Sequence, residues 1–389
     1  MHPGEGPLIG NYLLDAQWIR AYTIGVFQEV GSVRILISGG AGFVGSTLAQ
    51  AFQKKPGNRV VVLDNLRRRG SELNLLSFRK MGIEFCHGDV REPDDLLDVP
   101  GNFDLMIEAS AEPSVHAGQQ GSPAYVIGTN LEGTINCLEY VRKKAGMFAY
   151  LSTSRVYSIS ALRAIRLDET PERFEIAPQQ TLPGISERGV DESFPTHTAR
   201  SFYGATKLAS ELLIQEYVDS YGIKAIINRC GVIAGPGQFG KTDQGVVSLW
   251  VANHHFGRSL NYRGFDGKGK QVRDVLHPLD LAALLSRQLE NPAEWNGEPF
   301  NVGGGRLISM SLLELTGLCR DIVGSSVAIG STKSTERVDV PLYLTDSSKA
   351  QSRFDWQPQR NMETIVSETA EWIRSNERAL KPIFAPETL

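Results

Sequence analysis

The sequence predicts an α/β fold, a doubly wound parallel sheet with a smaller C-terminal α/β lobe. Three observations carry that expectation. From Arg34 to Cys230, apolar runs of strand length ("RILIS", "RVVVLD", "IEFCH", "DLMIEA", "MFAYLS", "KAIINRC") alternate with amphipathic stretches such as "FVGSTLAQAFQKK" and "NLEGTINCLEYVRKKA". Short strands that are apolar throughout and separated by helices belong to a parallel sheet covered on both faces. After Cys230 the texture turns irregular: "GPGQFGKTDQG", a helix near 245 to 257, "GKGKQVRDVLH", "NVGGG" and a helix from about 311. Such mixed short elements suit a smaller lobe over the C-terminal edge of the sheet, where open α/β sheets bind ligands. Finally, 389 residues exceed the roughly 250 to 300 at which single cores stop growing.

The expected division is an extension over 1–32, a sheet domain over 33–235, and a lobe over 236–389 with some segments returning to the sheet. Within the sheet domain, residues 158–200 carry Pro171, Pro178, Pro183, Gly184, Gly189 and Pro195 with little periodicity. They read as a long insertion, a lid or binding loop. Before Val33, the apolar Trp18, Ile19 and "YTIGVF" are interrupted by Asp15, Arg20 and Glu29 without a basic start. That is neither a signal peptide nor a membrane span.

The net charge of −4 is spread along the chain, which favours a small-molecule partner over nucleic acid or a membrane surface. Cys86, Cys137, Cys230 and Cys319 lie far apart in no CxxC spacing, and His254 and His255, being adjacent, face apart on a helix. Neither pattern holds a metal, and the cysteines read as reduced thiols of a cytoplasmic protein.

"RILISGGAGFVGSTL" puts Gly39, Gly42 and Gly45, with Phe43 and Val44 between the last two, between the first strand and the first helix. Glycines there let the backbone turn tightly and approach a pyrophosphate, whose charge meets free N–H groups and the positive end of the helix dipole. Nineteen residues after Gly45 the second strand ends in Asp64, followed by Asn65. A carboxylate at that point accepts both hydroxyls of an adenosine ribose, so this half reads as a Rossmann domain. Asp64 repels a 2′-phosphate, which favours NAD over NADP, although Arg67, Arg68 and Arg69 follow closely. Asp89 and Val90, after the third strand, are candidates to flank the adenine.

"SFYGATKLASELL" opens a helix with Tyr203 and Lys207 on one face. A tyrosine is no base at its ordinary pKa of about 10, but an ammonium one turn away lowers that value. The same lysine is placed to hold the nicotinamide ribose.

With GGxGxxG, Asp64, a Ser/Thr cluster after the fifth strand, Tyr203 and Lys207, residues 34 to 375 resemble the extended short-chain dehydrogenase/reductase family. The resemblance implies an NAD-dependent enzyme acting on a nucleotide-diphosphate sugar, a homodimer, and a catalytic set of Thr153, Tyr203 and Lys207. "VDESFP", "TDQGVV", "GKGKQVRDVLH", "FNVGGG" and "DWQP" further resemble its CDP-paratose 2-epimerase branch. That likeness implies substrate contacts from Thr153, Ser154, Arg155, Gln244, Gln271, Arg273 and Arg337. The chain departs from the family in "EASAEPS" after Ile107, where relatives have a His-x-Ala-Ala stretch, in Ser158, and in Cys230 to Val232.

The reaction turns on "STSRVYS", residues 152–158. Dehydratases of the family have Asp and Glu after the threonine; here Ser154 and Arg155 stand there, and arginine does not deprotonate. The simplest reaction left is epimerisation through a transient ketone, at C2 of a CDP-sugar if the branch likeness holds. A 4-epimerase, dehydratase or decarboxylase acting on a UDP-, dTDP- or GDP-sugar stays open through distal carboxylates. A non-catalytic NAD sensor is the remaining alternative.

Overall fold

The computed structural model describes residues 33–240 and 244–385; the expected extension over 1–32 lies outside them. Seven strands form the central sheet: β1 (Arg34–Ser38), β2 (Arg59–Asp64), β3 (Glu84–His87), β4 (Phe103–Glu108), β5 (Ala145–Thr153), β6 (Lys224–Cys230) and β7 (Asn296–Val302). All neighbours are parallel, in the order β7-β6-β5-β4-β1-β2-β3. The order reverses between β1 and β4, and the crevice there is where such sheets take their ligand.

Alternation along each strand explains the two helical layers. Ile35, Ile37, Val60, Val62, Leu105 and Ile107 pack in one core with Leu48 and Phe52 of α1 (Phe43–Gln53). Leu36, Val61, Met106, Phe148 and Ile227 point the other way, to Cys137, Leu138 and Val141 of α2 (Gly133–Lys144) and Ile214 of α3 (Phe202–Tyr221). With period-2 side chains, a strand covered on both faces has to be apolar at every position. α4 (Pro278–Leu289) adds Leu281, Leu284 and Leu285 to the first core. Thus the chain after Cys230 returns to the sheet as β7, as this helix and as the helix Ser348–Phe354, whose Ala350 and Phe354 join the same core.

The lobe is built around a small sheet in which Val272–Leu276 pairs with Val232–Ile233, Ser309–Ser311 and Leu342–Tyr343. The helices Val246–His255, Leu312–Val323 and Met362–Ser375 share a core of their own, with Trp250, Val251, Leu315, Cys319, Ile365 and Ile373 buried.

The stretch 158–200 is more ordered than its composition predicts. It holds a helix, Ile159–Arg163, and two hairpins, Leu167–Glu169 with Phe174–Ile176 and Ile185–Ser186 with Gly189–Val190. Leu162, Ile165, Val190 and Phe194 bury against Tyr157, Val340 and Tyr343. Its apolar residues are too scattered for a period to show.

Candidate active site

The turn after β1 is a backbone cradle. Gly39 has φ +65°, and a Cβ on it would stand 2.5 Å from the Ser110 backbone; one on Gly45 would stand 2.3 Å from the Gly39 carbonyl oxygen. Only glycine fits either place, since real Cβ atoms do not approach so closely. Gly42 caps α1 in an extended conformation, and no side chain caps the helix. Its first amides are therefore left for an anion, as a pyrophosphate-binding turn requires.

Asp64 sits at the end of β2, its two oxygens accepting from the Ala41 amide at 3.0 Å and the Leu66 amide at 2.8 Å. Burial raises its pKa, and the backbone donors oppose the rise. Each oxygen keeps a lone pair for a ribose hydroxyl. Asn65 donates to Asp89 at 2.8 Å, and Arg91 pairs with the same carboxylate at 2.6 Å. The Arg91 hydrogen bonds hold Asp89 well below the usual carboxylate range.

The three arginines after Asp64 all have protein partners. Arg67 lies over the Tyr125 ring at 4.2 Å, Arg68 donates to Gln244 and to the Phe239 carbonyl, and Arg69 donates to the Pro382 carbonyl. This engagement fits NAD better than a 2′-phosphorylated dinucleotide.

At the other end, β5 finishes in Thr153, whose hydroxyl accepts from the Arg155 amide at 3.2 Å as the chain enters the turn Ser154–Val156. Ser201 caps α3, its hydroxyl accepting from the Gly204 amide at 3.1 Å. A Cβ on Gly204 would stand 2.1 Å from the Arg155 carbonyl oxygen. That glycine lets the helix start abut the turn, bringing Tyr203 within hydrogen-bonding reach of Thr153.

Burial pushes the Tyr203 phenol up to about 12, with Thr153 and Arg155 opposing the rise. Lys207, one turn on, is 2% exposed and lies over the Tyr150 ring at 4.2 Å. Burial lowers its pKa, and Glu108 is the foremost group opposing that fall.

These features line one cavity of about 790 Å³ that takes in Gly39, Gly42, Phe43, Val44, Gly45, Asp64, Asn65, Asp89, Val90, Thr153, Ser154, Arg155, Tyr203, Lys207 and Gln244. Residues 35–303 match the NAD dependent epimerase/dehydratase family. CDP-paratose 2-epimerase of Salmonella typhi is 30% identical over 355 residues, covering 88% of this chain and 100% of that protein.

The chain belongs to the NAD-dependent epimerase/dehydratase family.

It is 28% identical over 366 residues to a dTDP-glucose 4,6-dehydratase of Streptomyces niveus, over 91% of this chain and 97% of that protein. In fold it resembles a UDP-glucuronic acid 4-epimerase of Bacillus cereus solved with UDP-glucuronic acid and NAD, with a TM-score of 0.71 at 23% identity, covering 88% of this chain and 99% of that one. The protein is thus an NAD-dependent enzyme of nucleotide-sugar epimerisation or dehydration.

Three expected substrate contacts of this epimerase/dehydratase stand outside the cavity wall. Gln271 donates to the Arg263 carbonyl at 3.0 Å, and Arg337 is exposed. Arg273 donates to the Val272 and Val340 carbonyls at 2.7 and 2.8 Å. Burial, with Arg155 nearby, lowers its pKa to about 9. The insertion contributes no residue to the wall either. It braces the turn from behind: the Ser158 amide donates to the Pro195 carbonyl at 2.9 Å, and the Thr198 amide to the Ser158 hydroxyl at 3.0 Å.

Sequence reasoning passed over several wall residues, Glu112, Tyr125 and Phe239 among them. Glu112 accepts from the Ser114 amide at 3.1 Å and from Gln244 at 3.2 Å. It also passed over Glu108, which lies behind the wall. A carboxylate ending the apolar run "DLMIE" was the available signal.

Proposed function

We propose that this enzyme inverts C2 of a CDP-sugar through a transient keto sugar, as a cytoplasmic homodimer. The observation that carries the choice of epimerisation is the make-up of the turn after Thr153. Ser154 and Arg155 both line the cavity beside Tyr203, and neither is an acid or base suited to carrying protons across a C–C bond. Glu112, the wall carboxylate after β4, is already engaged by Gln244 and the Ser114 amide. The likeness to CDP-paratose 2-epimerase at 30% identity supports the choice of base and carbon.

In this reading Gly39, Gly42 and Gly45 cradle the dinucleotide pyrophosphate, with Phe43 and Val44 on the helix start behind it. Asp64 and Asn65 take the ribose end, with Asp89 and Val90 beside the adenine. Bound NAD supplies a hydride acceptor that also returns the hydride. Tyr203 removes the hydroxyl proton of the sugar as the C–H bond breaks and gives it back after the ketone has turned over. Thr153 hydrogen-bonds the same oxygen and aligns it. Lys207 steadies the phenolate when its ammonium is aimed at the site. Ser154, Arg155 and Gln244, all on the cavity wall, hold the sugar. The four free thiols accord with a reducing compartment. The outward Leu212 and Tyr221 of α3, 59% and 58% exposed, accord with a helical dimer contact.

The test is to incubate the purified protein with CDP-, UDP-, dTDP- and GDP-sugars in deuterated water and follow the products by NMR. The expected product is a C2 epimer of the CDP-sugar, free of solvent deuterium and formed without added reductant. A 6-deoxy ketone formed with loss of water defeats the proposal, as does deuterium at the inverted carbon, which signals enolisation.

A further inference from the structure

The chemistry assigned to Lys207 needs an ammonium in a place that disfavours one. Lys207 is 2% exposed, and an ammonium taken out of water gives up its proton unless a counter-charge is at hand. The ionisable groups packed around it come from every neighbouring element: Glu108 at the end of β4, Cys137 on α2, Tyr150 on β5, Cys230 on β6, and Tyr203 and Glu211 on its own helix. Burial raises the Cys137, Cys230 and Tyr150 groups, which keeps them neutral.

Two carboxylates remain, and their situations differ. Glu211 accepts from Arg229 Nε at 3.1 Å to both oxygens, from a second Arg229 nitrogen at 2.7 Å, and from the Ser152 hydroxyl at 2.5 Å. Its charge is answered by the guanidinium. Glu108 is 0% exposed. One oxygen accepts from the Thr134 hydroxyl at 2.8 Å, while the other is buried without a hydrogen-bond partner. Lys207 is the cation that acts on it. The register pairs Glu108 directly with Tyr150, whose ring carries the Lys207 ammonium at 4.2 Å. Glu108, Tyr150 and Lys207 therefore form one buried cluster that runs from behind the cavity wall to Lys207 in it.

We infer that Glu108 is a positioning residue, the counter-charge that keeps Lys207 protonated and aimed along the ends of β4 and β5 at the reaction site. The inference rests on the reading of Lys207 as part of that site. Burial raises Glu108 to about 7, so the pair is fully formed only above that pH. The carboxylate also stands in "EASAEPS", the stretch where the chain leaves its family's pattern.

The test reads Lys207 directly in the NAD-loaded protein. With ¹⁵N-lysine label, the ε-ammonium signal of Lys207 is assigned by its loss in Lys207→Met and followed against pH. Glu108→Gln is expected to lower its titration by about one unit or more, and Glu108→Asp to keep it near the wild-type value. An unchanged titration in Glu108→Gln overturns the inference. Should that variant fail to fold, the reciprocal measurement decides: the ¹³C-labelled Glu108 carboxyl titrates about one unit higher in Lys207→Met if the two groups are paired, and at its wild-type value if they are not. On a sugar that the wild-type enzyme turns over, Glu108→Gln moves the alkaline limb of the kcat profile to lower pH with KM unchanged; a limb that stays in place overturns the inference. If no sugar is turned over but the ammonium titration shifts, the proposed reaction falls and the pairing stands.

Discussion

The two ends of the cavity are made of different materials. The cofactor end is largely backbone: a positive-φ glycine, a close approach at Gly45, an uncapped helix start, and Asp64 held by two amides. The reaction end is side chain, with Thr153, Tyr203 and Lys207 backed by the buried Glu108, Glu211 and Arg229. Backbone dipoles are fixed by the fold and do not titrate. Buried charges exist only while their partners do. Changes at the first end are thus expected to act on binding, and at the second on rate and its pH dependence.

Tyr203→Phe tests the division with the largest effect: kcat is expected to fall about 10³-fold or more while the protein keeps its NAD, measured by cofactor release on denaturation. Loss of cofactor together with rate would merge the two ends. Gly45→Val comes next, forcing side-chain atoms onto the Gly39 carbonyl. The expected result is a cofactor-free protein destabilised by about 1–3 kcal/mol, read by thermal unfolding. Asp64→Asn is expected to weaken NAD binding about 10- to 100-fold by calorimetry, leaving the kcat of the saturated enzyme near wild type.

Glu108 also couples stability to pH. Glu108 has its folded value raised from 4.5 to about 7, so between those values the folded chain holds a proton that the unfolded chain has lost. Stability from this group is present below about 4.5 and is lost as pH rises toward about 7. Relative to wild type, the Tm of Glu108→Gln is expected to rise across that window, and a pH-independent difference would sink the assignment. The smallest effect is expected from Arg68→Ala, which frees Gln244 from one neutral-acceptor hydrogen bond. KM for the sugar should change about two- to tenfold.

The same division explains what the sequence made legible. Gly39, Gly42 and Gly45, and likewise Tyr203 and Lys207, work within one turn or one helical repeat, so their spacing is visible in the chain. The six strands up to Cys230 are legible because most are built on a continuous apolar run, the edge strand β3 ("EFCH") being the weakest. β7 is not, because "NGEPFNV" has no clear period and nothing local shows that it pairs with β6. Contacts closed by the fold leave no local trace either: Arg68 meets Gln244 across 176 positions and Gln244 meets Glu112 across 132. Arg273 shows a further limit, since a resemblance transfers a residue type but not its rotamer, and here the guanidinium is turned onto two backbone carbonyls.

The late arrival of β7 bears on how the protein is made. The sheet that carries the cofactor turn ends on one side with residues 296–302, more than sixty positions after β6 ends at Cys230. During synthesis, which proceeds N-terminus first, a nascent chain that has reached Cys230 exposes β6 as an open, apolar edge, with Ile226 and Ile227 awaiting cover. Such edges recruit other strands. The ribosome must therefore deliver the chain as far as residue 302 before the sheet can close, and a truncation near residue 235 is expected to aggregate instead of yielding a free-standing cofactor domain.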